Sequence, residues 1–164
     1  MARYKYHDRF EDNAQTVIRS WVSKADADLI AAICLARICP HTVSDIVCYL
    51  SQQCLEKYFK AYLSISEAEW QARFERTHDL IRLSYLASEL DWTFVDFQRE
   101  LEKFDEYGIE IRYPDTASSI KDADSAIRLA IRLRNRLHML LDLRKSDYVN
   151  SLWRELQRPK QRLT

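Results

Sequence analysis

The chain predicts an all-α fold, an up-and-down bundle of four to five antiparallel helices. Three observations predict it. One glycine and three prolines among 164 residues leave few of the tight turns that strands need. Apolar residues recur at steps of three and four over long stretches, the period of a helix with one buried face. The stretches between them are short and polar, with breakers placed where the apolar period lapses.

The helices follow in order. Ser23 with Asp26 three residues later has the pattern of an N-cap, with Asp in the place of the usual Glu or Gln. It opens a predicted helix over about Lys24 to Ile38, with Leu29, Ile33 and Ala36 on one face. Pro40 ends it, because proline restricts Cys39 and cannot continue the hydrogen-bond ladder. Thr42 with Asp45 opens a second helix, about Val43 to Leu63. Val43, Ile46, Val47, Leu50, Cys54, Tyr58 and Tyr62 form its apolar strip; Gln52, Gln53, Glu56, Lys57 and Lys60 lie on its other face, where Lys57 and Lys60 are expected to meet solvent. Ser66 with Glu69 starts a short helical turn. The third long helix runs from Thr77 to about Glu89 with Leu80, Leu83, Ala87 and Leu90 aligned, and His78 is expected to bond locally at its start.

The fourth helix covers about Thr93 to Tyr107, with Phe94, Phe97, Leu101 and Phe104 in register, and stops at Gly108. "IEIRYPD" is an extended connector, held straight at Tyr113 by Pro114. The fifth helix spans about Ile120 to Arg144, and a short amphipathic helix, about Tyr148 to Leu156, precedes a polar tail. Residues 1–20 form an N-terminal extension, 21–145 the bundle, and 146–164 a short C-terminal helix with a basic tail.

The fifth helix contains an oddity. Ile127, Ile131, Arg134, His138 and Leu141 share a strip roughly 80° wide at about 100° per residue, beside a second strip of Ala126, Leu129, Leu133, Leu137 and Leu140. A guanidinium and an imidazole thus occupy positions that the period assigns to the core. A buried, unpaired arginine costs several kcal/mol, so Arg134 needs an acid, a phosphate or water beside it. Asp91, Asp96 and Glu100 are the candidate acids. Alternatively, the seam opens onto a dimer interface, or it forms a cleft where Arg binds phosphate and His serves as acid or base.

Charge and cysteines narrow the setting. The chain is neutral overall, yet Glu89–Asp124 carries eleven acids against four bases and Arg128–Thr164 ten bases against three acids. Either the two segments neutralise one another in the fold or across a homodimer, or the basic one offers a surface to nucleic acid or nucleotide phosphate. Cys34, Cys39, Cys48 and Cys54 lack a CxxC pair and read as free thiols in a reducing compartment. The N-terminus shows no secretory signal and no stretch is apolar enough for a membrane span. A cytoplasmic protein without metal or cofactor is expected.

Taken as an ordered set, "DADLIAAICLA", "CYLSQQCLEKYFKAYL", "THDLIRL" and "IRYPD" resemble the HEPN family, the higher eukaryotes and prokaryotes nucleotide-binding domain. The resemblance covers about Trp21 to Leu143 and includes the branch with an Arg-Tyr-Pro connector. It implies a helical bundle that is usually dimeric and often encoded beside a minimal nucleotidyltransferase in toxin–antitoxin-type pairs. Nucleotide or phosphate contacts would fall on Lys57, Lys60, His78, Arg112 and Asp115. Many members are metal-independent endoribonucleases whose site is an Arg, four to six residues, then His, assembled at the dimer interface.

The nuclease motif departs from the family pattern in this chain. Arg132 and His138 have five residues between them, which satisfies the spacing, but Leu133 stands where a polar residue usually follows the Arg. Arg134-Asn135 supplies the expected dipeptide with only three residues before His138, and Leu140 replaces a frequent tyrosine. Arg132, Arg134, Asn135 and His138 are therefore a degenerate catalytic set. In a nuclease, His138 would move a proton at the 2′-hydroxyl or the leaving oxygen while an arginine stabilises the phosphate. The alternatives are a partner subunit of a nucleotidyltransferase, an active toxin endoribonuclease, and a non-enzymatic dimerisation module.

Overall fold

The last long helix can place an arginine in the core because of how the three longest helices meet. The computed structural model describes residues 2–66, 74, 76–102, 104, 117–143 and 148–157. Among these, six α-helices and one 3₁₀ turn appear and no strand: α1 (Ala2–Ile38), α2 (Ser44–Leu63), α3 (Leu80–Leu90), the turn Trp92–Phe94, α4 (Val95–Leu101), α5 (Ile120–Leu140) and α6 (Tyr148–Leu156). The all-α bundle expected from the periodicity is the fold.

α1 and α2 are antiparallel, as the short connector at Pro40 requires, and Asp28–Lys57 and Asp26–Tyr58 contacts hold their register. α5 runs alongside α2 in the same direction. Ser118, just before α5, donates its amide to Asp45 in the first turn of α2 (2.5 Å). Further along, Arg134 of α5 and Tyr58 of α2 meet at Asp26. α2 is thereby the central helix, with α1, α3 and α5 packed around it, and this accounts for its burial on nearly every side. The α3–α4 pair closes another side through Phe94, whose ring sits 4.6 Å from Tyr62, 5.9 Å from Phe59 and 6.2 Å from Phe97. α6 lies antiparallel along α5, from an Asn150–Asn135 contact to Arg128–Gln157, with Trp153 under the Arg128 guanidinium.

Several local expectations need correction. Ser23 and Asp26 do not start a helix, because α1 is continuous from Ala2. Its buried strip already includes Ile18 and Val22, so the core-facing period begins upstream of the apparent cap, and Asp26 is used elsewhere. Thr42 does not cap α2; Val43 occupies the N-cap without a side-chain bond. α3 begins at Leu80, later than Thr77, because Asp79 accepts from the Arg82 amide and fixes the start there. Asp91 does the same for the turn before α4. Lys60, expected to meet solvent, is buried, as are Gln52 and Glu56 of α2. Conversely Ile46 and Leu90, expected in apolar strips, are exposed. Gly108, the Arg-Tyr-Pro connector and the C-terminal tail lie outside the described residues.

Part of the charge segregation is matched within the subunit among the described residues. Arg132 takes both oxygens of Glu100 at 2.6 and 2.8 Å, Arg136 reaches Asp91 at 3.2 Å, and Arg128 pairs with Asp124 at 2.7 Å. The acidic and basic segments thus face one another across α4 and α5. The described cysteines are free thiols, and burial raises the Cys48 pKa to about 11 and pushes Cys54 well up. No helix among the described residues is long and apolar enough to cross a membrane.

The start of α5 gives a direct test of the local rules. Ser119 and Asp122 form a full capping box, and the Ser119 hydroxyl and amide hold the Asp122 carboxyl below its ordinary pKa. A depressed folded-state pKa stabilises the fold fully above the unfolded value and is lost as pH falls through the depressed one. Ser119→Ala should cost about 1 kcal/mol in urea denaturation at neutral pH. It should also reduce the loss of stability on acidification, since the hydroxyl that depresses Asp122 is gone.

Candidate functional site

The site assembles around one carboxylate. Arg134 of α5 is fully buried, and its Nε donates to Asp26 Oδ1 at 2.7 Å while a terminal nitrogen reaches Oδ2 at 3.4 Å. Tyr58 of α2 donates its hydroxyl to the same Oδ1. Asp26 keeps 21% of its side-chain surface, so one edge faces outward while the other joins three helices. Burial opposes the Arg134 charge, yet the hydrogen bond and attraction of Asp26, supported by Tyr58, hold its pKa above the ordinary value. The Tyr58 phenol is pushed far up, first by burial and then by Cys54 and Asp26, so it remains a hydrogen-bond donor. Asp91, Asp96 and Glu100, the acids considered for Arg134, are not its partners: Asp91 serves Arg136 and Glu100 serves Arg132.

His138 follows one turn after Arg134 on the same strip and is 4% exposed. It lies at an open cleft between the end of α5 and the middle of α1, which Asp26 also borders. Arg132 stands apart from both. Six residues before His138, it projects about 120° around the helix, where Glu100 binds it and its guanidinium rests 5.4 Å from the Phe97 ring centre. Asn135 points elsewhere again, accepting from Asn150 of α6. Of the four motif residues, then, the structure brings together Arg134 and His138.

The expected phosphate ligands form a second cluster on the far side of α2. Lys57 binds Asp28 at 2.6 Å. Lys60 is buried and donates to Glu56 Oε1 at 2.9 Å, with its ammonium 5.4 Å from the Trp21 ring centre. His78 Nδ1 meets the same Glu56 oxygen at 3.0 Å while most of its ring stays in solvent, so it bonds across to α2 and not locally. Glu56 Oε2 makes no hydrogen bond among the described residues. Arg112 and Asp115 fall outside the described residues. Sequence reasoning missed Asp26 and Glu56 as organising acids; the i, i+4 spacing of Glu56 and Lys60 was the available sign for the second. Among the described residues no group of three or more His, Cys, Asp or Glu side chains could hold a metal.

The fold is that of an all-helical bundle with an arginine and a histidine one turn apart on its last long helix. The HEPN domain profile matches residues 18–140, three quarters of the chain, and the chain belongs to the HEPN family. No curated protein and no solved structure matches it.

The triad of Arg134, Asp26 and Tyr58 predicts an asymmetric response to mutation. Asp26→Asn keeps the shape but leaves the buried guanidinium without its counter-charge, and should cost about 3 kcal/mol in urea denaturation. Replacing the pair together, Asp26→Leu with Arg134→Met, should recover part of that loss, because apolar isosteres need no counter-charge. A cost below about 1 kcal/mol for Asp26→Asn would fit a weak surface pair and not the buried joint described.

Proposed function

We propose that this HEPN protein acts as the protein partner and nucleotide-binding subunit of a separate minimal nucleotidyltransferase in a toxin–antitoxin-type pair. It does so as a homodimer, and its degenerate nuclease motif does not cleave RNA. The state of Arg134 supports this reading most directly. An arginine that stabilises a scissile phosphate must present its fork of donors to the substrate. Arg134 is instead sealed in the core and bridged to Asp26. Arg132, with the better spacing, is held by Glu100 on another face of α5. Nucleotide phosphate in this reading is met at the His78 side of α2, where the ring is 77% exposed above the buried Glu56–Lys60 pair.

One observation favours the second reading, a metal-independent endoribonuclease: His138 reaches an open cleft beside Asp26. The two readings separate experimentally. The purified protein, incubated with a mixed RNA pool in chelator, is expected to show no cleavage that His138→Ala removes. Co-expression with a small nucleotidyltransferase encoded by the neighbouring gene is expected to give a complex that survives size-exclusion chromatography. RNA cleavage abolished by His138→Ala would establish the nuclease. Failure to form the complex, together with no thermal shift by any nucleotide, would leave only a dimerisation module.

A further inference from the structure

The cleft at the end of α5 has a volume of about 770 Å³. It continues the groove between α1 and α5 in which α6 is seated. α6 lies against α5 from Asn135 back to Asp124, and the open part begins beyond it, at His138. Val22, Ile30 and Leu143 give this part an apolar lining, and Arg19 and Asp142 stand at it as charges from two different elements. Neither Arg19 nor Asp142 forms an ion pair among the described residues. Asp26, also on the cleft, already has its charge matched by Arg134.

Asp142 reaches this position by way of the chain reversal that ends α5. Its φ is 47°, the left-handed region, and the Leu143 amide bonds back to the His138 carbonyl at 3.0 Å. Glycine is the usual residue at such a helix end, because it has no Cβ to crowd the backbone. An aspartate there sets a carboxylate at the cleft instead.

The charge pattern selects among ligands. A phosphate or other lone anion gains Arg19 but meets the unmatched carboxylate of Asp142. A lone cation gains Asp142 but meets Arg19. A molecule carrying both charges on an aliphatic body satisfies the two ends and the lining at once. We infer that the α1–α5 cleft binds a zwitterionic aliphatic ligand of the amino-acid class, with its carboxylate at Arg19, its ammonium at Asp142 and its side chain on the apolar lining beside Val22 and Leu143. A free amino acid and a short apolar peptide share this chemistry. The inference does not depend on the nucleotidyltransferase reading, because it rests on residues of the cleft alone.

Calorimetric titration of the full chain with L-leucine and with leucyl-leucine tests it, and whichever binds identifies the source. Binding of at least one with a dissociation constant of about 1 mM or tighter is expected. N-acetyl-leucine, which lacks the ammonium, and leucinamide, which lacks the carboxylate, should each bind about tenfold more weakly than leucine; the corresponding blocked dipeptides serve if leucyl-leucine is the ligand. Arg19→Ala should abolish the discrimination against the amide, and Asp142→Asn that against the acetyl derivative. Asparagine tolerates positive φ, so Asp142→Asn preserves the turn, and Arg19 is exposed, so its truncation spares the core. Absence of binding by both zwitterions at about 10 mM, equal binding of the blocked forms, or binding unchanged in both variants overturns the inference.

Discussion

The bundle depends on the carboxylate of Asp26. It sits on α1, receives Tyr58 from α2 and Arg134 from α5, and so joins the three longest helices at one point. Without a carboxylate there, a guanidinium with no solvent exposure would lose the counter-charge that Asp26 supplies, at a cost of several kcal/mol. The joint also fixes register. A shift of α5 by one turn along α1 would move the arginine away from Asp26 and break the fit of Ile127, Ile131 and Leu133 at the same time. Apolar packing tolerates several sliding arrangements, whereas a bidentate ion pair with a phenol on the same oxygen tolerates one.

Around that joint, electrostatics work at the periphery and with less energy. Arg128, Arg132 and Arg136 follow one another at four-residue steps along α5 and meet Asp124, Glu100 and Asp91. Arg128 and Arg132 are half exposed, so their pairs are screened and contribute little to stability individually. Their service is orientation: Glu100 and Asp91 belong to the α3–α4 unit, so the row of arginines aligns that unit against α5. The Thr93 hydroxyl is part of the same arrangement, donating to Asp91 and accepting from Arg136. Three acids before residue 125 and three bases after it are thus matched intramolecularly.

The helices themselves were legible because each is specified locally. Phe94, Phe97, Leu101 and Phe104 recur at helical steps and all four are buried, and α5 starts at Ile120 as expected, with Ser119 and Asp122 as its cap. What escaped notice were interactions between residues remote in sequence. Asp26 and Arg134 are 108 positions apart, and the local context of Asp26, three after Ser23, offered a stronger but mistaken meaning as a cap. Lys60 looked solvated because charged residues on a helix usually are. It is buried with Glu56 because α2 is enclosed by three neighbours, a fact of tertiary arrangement that no single-helix period contains. The oddity of Arg134 and His138 was readable, whereas the identity of the partner acid was not.

The same distinction bears on the nuclease motif. Arg132 and His138 satisfy a spacing rule, but a helix converts spacing into direction, and six residues turn a side chain about 120° away. Arg134 and His138 violate the rule and yet share a face. A linear motif in a helix is thus meaningful to the extent that its steps return to one side, or that a second subunit supplies the missing side. Here the aligned arginine is committed to holding the fold together, and the misaligned one to holding α4. Both guanidinium groups have structural employment, and His138 is the motif residue that lines the cleft. At this helix end the imidazole and the outward edge of the Asp26 carboxylate border the same cleft, and spacing along the helix alone does not bring the Arg132 guanidinium to it.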